Sequence, residues 1–560
     1  MIVSLRSAQR PSAIRREQTV AIHIPYAAHV AEGVLKTSGG DFVQSFRLSG
    51  ASFESADDDQ LNNWHERLNV TWRNVASPNV ALWIHLIRRR EQYAGGSVDA
   101  ADFAGRLAEK YQSRLATETL MVNDLYLSVV YRPVAGAASG LLSKALAKSP
   151  RHRGEDDLDA ALDACAKLGQ TISASLARYE PEQLGIYIYE GRHYSQLLEF
   201  LGYLVNGERQ RMPVPRAPIA DALATTRPVF GTEVIEYRLP TETRVGAVLG
   251  IKEYPTPTSV GMYNALLSAP FPFVLTQSFT FLSKATGQGL LQRQHARMAN
   301  AGDFAVSQAE ELVDALDALT SNEFVMGDHH FSLQVLADAP GSQGKDEGSE
   351  RIKRLNDFVA LARAMLADTG MTVAREDLAL ESAFWAQLPG NFRDRPRKAP
   401  ITSRNLAAMA AFHNYPVGRA TGNHWGDALA LLITSAHSPY YFSLHASDPT
   451  DPDGGSRKDT GHTFICGPTG SGKTVFIVFL VAMLARQGAV QVVFDKDKGL
   501  EILVRALGGI YLPLRNGLPT GFNPLQLPET PASIEFQKLW LRSLVRTATP
   551  LTTRELDDLD

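Results

Sequence analysis

The feature that most constrains the fold of this chain is a glycine-rich octet that matches the pattern GxxxxGK[ST] without departure. Such an octet is typical of a turn between a β-strand and an α-helix, because glycines permit left-handed backbone and a close approach to an anion. The flanking sequence has the same order, since His462–Cys466 predicts the strand and Val475–Arg486 predicts the helix. The octet consists of Gly467, Pro468, Thr469, Gly470, Ser471, Gly472, Lys473 and Thr474.

The octet predicts a site for the phosphates of a nucleotide, with ATP and Mg²⁺ as the cofactors. Its backbone N–H groups and the helix N-terminus are expected to surround one anion. Lys473 is expected to reach the β- and γ-phosphates, and the Thr474 hydroxyl is expected to be a ligand of Mg²⁺. These two residues are the candidate catalytic groups, and the whole octet is the candidate cofactor-binding site. The alternative is a glycine turn that binds nothing, which the match of motif and context disfavours.

The sequence after the octet predicts only the first part of a P-loop domain. Val490–Phe494 predicts a second buried strand, and this run is followed by Asp495 and Asp497. Asp495 is not interpreted as the Walker B aspartate, because only one helix and one strand separate it from the octet. Either an assisting polar role near the nucleotide or a solvated strand end fits it, and the role of Asp497 stays open.

The remaining sequence predicts the helix Leu500–Leu507, the strand Ile510–Leu514 and a helix over about 533–546. It contains no later apolar strand that ends in acidic residues, no candidate arginine finger and no sensor residue. We therefore expect the P-loop ATPase domain to occupy 431–560 and to be incomplete at its C-terminus. Such a chain is expected to bind nucleotide, whereas hydrolysis would need residues that the sequence does not identify.

The sequence before the octet predicts a mixed α/β region. Val80–Ile87 and Leu125–Tyr131 predict strands, the helical stretch Ala101–Ala116 lies between them, and this spacing predicts a split βαβ sandwich. Further strands are predicted at Phe271–Leu282 and Phe331–Leu336, although no repeat of fixed period is present.

These patterns predict the domain organisation and the fold class. A tail is expected over 1–20 and an N-terminal α/β domain over 21–430, with two smaller α/β units over about 21–230 and 231–390 as an alternative. The fold class is therefore α/β: an N-terminal α+β domain of split βαβ type, followed by the first part of a RecA-like P-loop NTPase domain.

Composition excludes several classes of protein. The 56 Lys and Arg residues against 60 Asp and Glu residues give a net charge of −4, which is unlike a protein that coats nucleic acid. Two cysteines, Cys165 and Cys466, cannot form a disulfide framework or a four-thiolate zinc site, and they fit a reducing compartment. The longest dense apolar run, Val475–Ala485, is shorter than the roughly 20 residues of a membrane span. A membrane role is therefore expected to be peripheral.

The chain resembles the CagE/TrbE/VirB family, the large ATPases of type IV secretion and conjugation systems. The resemblance is carried by GPTGSGKT together with the block Phe494–Thr530, which is specific to this family. Upstream stretches agree, and the resemblance covers nearly the whole chain from about residue 20. These stretches are Ile24–Val30, Val122–Pro133, Phe324–Leu333, Phe384–Phe392 and Thr421–Leu432.

The resemblance implies an N-terminal domain that docks on the inner-membrane complex and a C-terminal RecA-like motor related to the FtsK and HerA translocases. It implies homo-oligomers, often hexamers, at the cytoplasmic face of the bacterial inner membrane. Partners would be other inner-membrane components, companion ATPases and a DNA or protein cargo, and ATP turnover would support pilus assembly and substrate export. Family members continue for roughly two hundred residues more, through the Walker B carboxylates, which puts hydrolysis by this chain in doubt.

Three weaker signals have preferred structural interpretations, and a fourth, at Trp425, stays open. Arg88, Arg89 and Arg90 could meet anionic lipid or an acidic partner, but a solvated turn at a strand end is favoured. Asp328–His330 could bind a metal, but strand-edge hydrogen bonding is favoured because no second cluster has metal spacing. Cys466 is expected to be a small buried residue rather than an oxidised one. Trp425 could pack the linker region against the motor.

Two other functions compete with a secretion ATPase. The first is an assembly scaffold that works mainly through protein contacts made by the first 430 or so residues. The second is a DNA translocase of the FtsK/HerA kind, which the near-neutral charge disfavours.

Overall fold

The protein is described by a computed structural model that covers residues 19–93, 101–133, 153–239, 243–301, 306–338, 347–445, 461–545 and 552–559. The chain divides into two compact units, each formed from two stretches of sequence. The first unit contains 1–95 and 113–463, and the second contains 96–112 and 464–560. The main division therefore falls between residues 463 and 464, whereas the sequence predicted a boundary between 430 and 431.

Up to residue 206 the described residues form eight strands and four α-helices. In chain order they are β1 (Tyr26–Ala31), β2 (Val34–Thr37), β3 (Phe42–Leu48), α1 (Asp58–Val75), β4 (Val80–Gln92), α2 (Phe103–Leu115), β5 (Thr119–Tyr131), α3 (Arg153–Ser175), β6 (Pro181–Gln183), β7 (Ile186–Tyr189), β8 (Arg192–Ser195) and α4 (Gln196–Asn206).

A second series of strands and helices follows between residue 219 and residue 442. They are α5 (Ile219–Ala222), β9 (Pro228–Phe230), β10 (Ile235–Arg238), β11 (Thr243–Glu253), β12 (Phe273–Phe281), α6 (Lys284–Ala301), α7 (Val306–Thr320), β13 (Met326–Ala337), α8 (Glu347–Ala367), β14 (Thr372–Arg375), α9 (Leu380–Trp385), β15 (Ala399–Thr402), α10 (Ser403–Met409), β16 (Ala430–Ile433) and β17 (Pro439–Phe442).

One antiparallel sheet of 13 strands organises the first unit. Its main path runs β1-β2-β3-β5-β4-β12-β13-β11-β10-β9, while β6, β14 and β15 pair beside β3, β11 and β13. The strands β3, β4 and β5 are arranged as β3-β5-β4, and β11, β12 and β13 repeat this arrangement in mirror order as β12-β13-β11. These two groups of strands are two halves of one sheet, joined where β4 pairs with β12.

The split βαβ fold is confirmed, but its members differ from those predicted. Val80–Ile87 and Leu125–Tyr131 pair directly with each other, as parts of β4 and β5. Because β3 and β4 each pair antiparallel with β5, they are parallel to each other with β5 between them. The split unit is therefore β3-α1-β4, and β5 is the strand inserted into it.

Both faces of the central sheet are covered, which explains why β4 is apolar at successive positions. Leu82, Ile84 and Leu86 join one buried cluster with residues of α1, α8 and α10. Trp83 and Ile87, on alternate positions, join a second cluster with residues of α4, α5 and α9. A strand buried on two faces has no polar alternation, so a continuous apolar run is expected.

The three arginines after the predicted strand end do not form a solvated turn. They lie within β4, and Arg88 is 1% exposed. Its guanidinium donates to the carbonyl oxygens of Leu267, Ala269 and Ala436 and to the side chain of Asn123. Burial lowers the pKa of Arg88 to about 10, so the group stays protonated at neutral pH.

The other two arginines pair with carboxylates. Arg89 pairs with Asp124 at 2.6 Å and with Glu91, and Arg90 pairs with Asp338 at 3.0 Å. The guanidinium groups of the triplet are therefore committed to partners inside the first unit. This arrangement contradicts the solvated-turn interpretation, and it gives no support to a lipid-binding or partner-binding role.

His329 and His330 lie inside the sheet on β13 rather than at its edge. His329 Nδ1 is 2.9 Å from the Tyr254 hydroxyl, and its Nε2 is 3.2 Å from Gln277 Oε1. Burial lowers the pKa of both imidazoles to about 3. Within the described residues no group of three or more His, Cys, Asp or Glu side chains could hold a metal ion.

The second unit is mainly helical in its described residues. Its helices after residue 464 are α11 (Lys473–Arg486), α12 (Glu501–Ala506), α13 (Pro531–Leu544) and α14 (Thr553–Leu559). None of the helices in the described ranges of the whole chain combines the length and apolarity needed to cross a membrane.

The three strands predicted in the second unit are not paired. Residues 462–466, 490–494 and 510–514 belong to no β-ladder among the described residues. Phe464, Val490 and Phe494 are 89%, 98% and 95% exposed. A strand is stable only when partner strands accept its backbone hydrogen bonds and cover its side chains, and these segments have neither. The predicted strands are therefore wrong for the described unit, whereas the helices 475–486 and 500–507 lie close to their predicted positions.

We predict that Arg88→Gln lowers the free energy of unfolding of the first unit by about 2–4 kcal/mol, because buried carbonyl groups lose their donor. Thermal or urea denaturation of the whole chain measures this change. Arg114→Gln is the matched control, since the Arg114 side chain is 80% exposed. Equal melting temperatures for the two variants would contradict a structural role for Arg88.

The buried histidines predict that acid weakens the first unit. The pKa of His85 and His413 is about 4 and that of His329 and His330 is about 3, because burial disfavours the imidazolium. In the unfolded chain these groups take up protons near pH 6.5. The contribution of these histidines to the free energy of unfolding is therefore fully present above pH 6.5, and it falls as the pH drops from 6.5 towards 4.

The variant His85→Gln removes one of these titrations. Between pH 6 and pH 4.5 its free energy of unfolding should depend less on pH, by about 1.4 kcal/mol per pH unit. Denaturation curves at several pH values measure this slope. His193→Gln is the control, because His193 is exposed. An unchanged slope in His85→Gln would show that His85 is not held neutral by the fold.

Candidate phosphate-binding site

The glycine-rich octet forms a turn that leads directly into α11. The helix begins at Lys473, with Gly472 as its N-cap residue. Leu480, Ala482 and Met483 are the buried residues of the helix. Gly470 and Gly472 have φ angles of 84° and 88°, in the left-handed region where a side chain is costly. The octet therefore needs glycine at these two positions to make the turn.

A further close approach occurs inside the loop. A Cβ atom on Gly467 would lie 2.8 Å from Ser471 Oγ, so any larger residue would displace that hydroxyl. The Ser471 amide donates to the Pro468 carbonyl at 3.3 Å and closes the turn. The loop backbone is therefore closed by a hydrogen bond of its own.

The Lys473 side chain turns back over the loop. Its ammonium group donates to the carbonyl oxygens of Gly467 and Pro468, at 2.8 and 2.9 Å. The charge is therefore held beside the N-terminal turn of α11, where backbone N–H groups have no acceptor within the helix. No acidic residue lies in this first turn. Ammonium, unpaired N–H groups and the positive end of the helix together favour an anion.

The hydroxyl of Thr474 is exposed on the first turn of α11. A Mg²⁺ ion commonly takes one or two protein ligands and completes its shell with water and phosphate oxygens. A single hydroxyl beside an anion-binding turn fits that ligand set, so the residues present are compatible with Mg²⁺ carried by a nucleotide.

The loop that begins at Asp495 lies beside Thr474. A Cβ atom on Gly499 would be 2.9 Å from Thr474 Cγ2, so glycine is needed where this loop passes the octet. Sequence reasoning did not identify Gly499. The only sequence feature that points to this position is a glycine directly after the charged run Asp495–Lys498.

The Asp495 carboxylate is occupied by backbone donors. It accepts hydrogen bonds from the amides of Gly499 and Leu500, at 3.1 and 2.9 Å. These bonds lower its pKa, the bond from Leu500 being the larger cause. Asp495 therefore stabilises the turn that leads into α12, while the Asp497 side chain is exposed.

Cys466 and Trp425, which the sequence also singled out, both lie outside the octet. Cys466 is exposed rather than buried, because the segment that contains it is not covered by a sheet. The Trp425 ring is 63% exposed and lies 6.2 Å from the His445 ring, within the first unit. Neither residue contributes a group to the octet.

Three family models match the chain. Residues 33–138 match the type IV secretion system ATPase VirB4/TrbE N-terminal domain, and 182–397 match the CagE, TrbE, VirB family, a component of the type IV transporter system. Residues 452–547 match the TraG P-loop domain, in agreement with a RecA-like P-loop fold.

Curated relatives match along almost the whole chain. The type IV secretion system protein virB4 of Bartonella quintana (strain Toulouse) is 42% identical over 552 residues, which cover 98% of this chain and 67% of the relative. The PtlC homolog of Bordetella bronchiseptica is 38% identical, with 97% of this chain and 65% of the relative covered. The virB4 protein of Brucella suis biovar 1 is 36% identical, with 95% and 64% covered. The chain thus spans about two thirds of the length of these relatives, and it belongs to the CagE/TrbE/VirB family of type IV secretion system ATPases.

Proposed function

We propose that this chain binds Mg-ATP through residues 467–474 and that ATP turnover by the whole protein energises pilus assembly and substrate transfer across the bacterial envelope. The observation that supports the proposal is the turn in which the Lys473 ammonium lies beside the N-terminus of α11. Lys473 would exchange its two loop carbonyls for the β- and γ-phosphates, which are stronger acceptors. The Thr474 hydroxyl would be a ligand of Mg²⁺, which would supply positive charge beside those phosphates.

Hydrolysis needs groups beyond this turn. Among the described residues after the octet, no carboxylate follows a paired β-strand, and Asp495 is engaged by two backbone amides. We therefore propose nucleotide binding for the chain itself, and hydrolysis for the whole protein with a water-activating carboxylate from elsewhere.

The first unit is proposed as the domain that docks on inner-membrane partners and companion ATPases. Its large sheet is buried on both faces, so a rigid platform is available for protein contacts. We propose a peripheral position at the cytoplasmic face of the inner membrane, and assembly into homo-oligomers that handle a DNA or protein cargo.

We predict that Lys473→Ala weakens Mg-ATP binding by about tenfold to a hundredfold, the size expected when hydrogen bonds from a charged donor are lost. Titration of the chain with fluorescent ATP in the presence of Mg²⁺ measures the dissociation constant. Lys496→Ala is the matched control, because Lys496 is an exposed lysine of the same unit.

The outcomes separate the proposal from its alternatives. Equal affinity of the parent chain and Lys473→Ala would reject the octet as the binding site. In cells that depend on this protein, loss of export with an intact secretion complex would support an ATP-driven role. Export that survives Lys473→Ala would favour an assembly scaffold instead.

We predict that Gly472→Ala weakens Mg-ATP binding more than Gly488→Ala does. Both glycines have left-handed backbone, with φ of 88° and 72°, and neither has an atom within 4 Å of a built Cβ. Each substitution therefore costs about 1–2 kcal/mol of backbone strain, but only the strain at Gly472 moves the N–H groups of the octet. The same titration compares the two, and equal loss of affinity would indicate a general loss of stability.

A further inference from the structure

A helix from the N-terminal part of the sequence belongs to the same compact unit as the octet. Residues 96–112 group with 464–560, although in the chain they lie between β4 and β5 of the first unit. The described part of this stretch contains most of α2. Ala104, Ala108 and Tyr111 share one face of the helix, and the two alanines are 0% and 2% exposed.

The same helix face contacts the helix that follows the octet. The Tyr111 ring lies 4.6 Å from the Phe479 ring, measured between centroids, with an angle of 51° between the planes. Phe479 belongs to α11, six positions after Lys473, which corresponds to about 9 Å along the helix axis. The orientation of α11 sets the direction of its first-turn N–H groups, which include those of Lys473 and Thr474 in the octet.

We propose that Tyr111 is a positioning residue for the nucleotide site, which it influences by packing on Phe479 and orienting α11. The inference rests on the proposed binding of Mg-ATP at residues 467–474. A nucleotide that orders the first turn of α11 also stabilises the Tyr111–Phe479 contact, and the reverse holds because coupling between two sites is reciprocal.

The packing part of the proposal is tested without nucleotide. Hydrogen exchange of the whole chain is measured by mass spectrometry for the parent, Tyr111→Ala, Tyr111→Phe and Phe522→Ala. We expect Tyr111→Ala to raise exchange over 473–486 by about three- to tenfold, the effect of losing one aromatic pair. Tyr111→Phe keeps the ring and should stay closer to the parent than Tyr111→Ala does. Phe522→Ala is the control, because Phe522 is an exposed aromatic of the same unit.

The coupling part is tested by adding Mg²⁺ and a non-hydrolysable ATP analogue. We expect slower exchange over 103–112 in the parent, no such slowing in Lys473→Ala, and a weaker affinity for the analogue in Tyr111→Ala, by about three- to tenfold. Unchanged exchange over 473–486 in Tyr111→Ala would overturn the proposal whether or not nucleotide binds. Analogue binding that protects the octet but not 103–112 would also overturn it. A parent chain that binds no analogue would instead reject the proposed function and, with it, the coupling.

Discussion

The first unit depends on the antiparallel pairing of β4 with β12. The register runs from Ala81 opposite Thr280 to Arg88 opposite Phe273, and it joins the strand groups β3-β5-β4 and β12-β13-β11 into one sheet. Because the joining strands lie in the middle, helices from both halves can cover the same two faces. A break in this pairing would expose strand edges and both apolar faces of the sheet. The remaining elements of the first unit therefore depend on this central ladder.

Burial of the central strands also determines the protonation state of their titratable residues. Arg88 keeps its charge in the interior because neutral acceptors surround its guanidinium, whereas His85, His329 and His330 are held neutral. Polar groups that could have formed a surface patch or a metal site are used to fix strand ends and loops to the sheet.

The second unit combines a formed glycine-rich turn with apolar segments that no strand covers among the described residues. The turn needs only local geometry, because two left-handed glycines and a helix N-terminus are specified within one octet. A sheet needs partners that are distant in sequence, and in the described unit Phe464, Val490 and Phe494 have none. Packing of Tyr111 on Phe479 gives α11 a contact from outside the octet and its helix.

The sequence by itself determined the glycine-rich octet, the helix after it, the family and several strands of the first unit, because each of these follows from a local pattern of residues. Only the tertiary structure decided the rest. It placed β5 between β3 and β4, buried Arg88, which its position after a predicted strand had assigned to solvent, left Cys466 exposed, and brought Gly499 and Tyr111 into the unit of the octet. These outcomes depend on which distant segment pairs with or covers a given residue, and spacing along one chain does not contain that information.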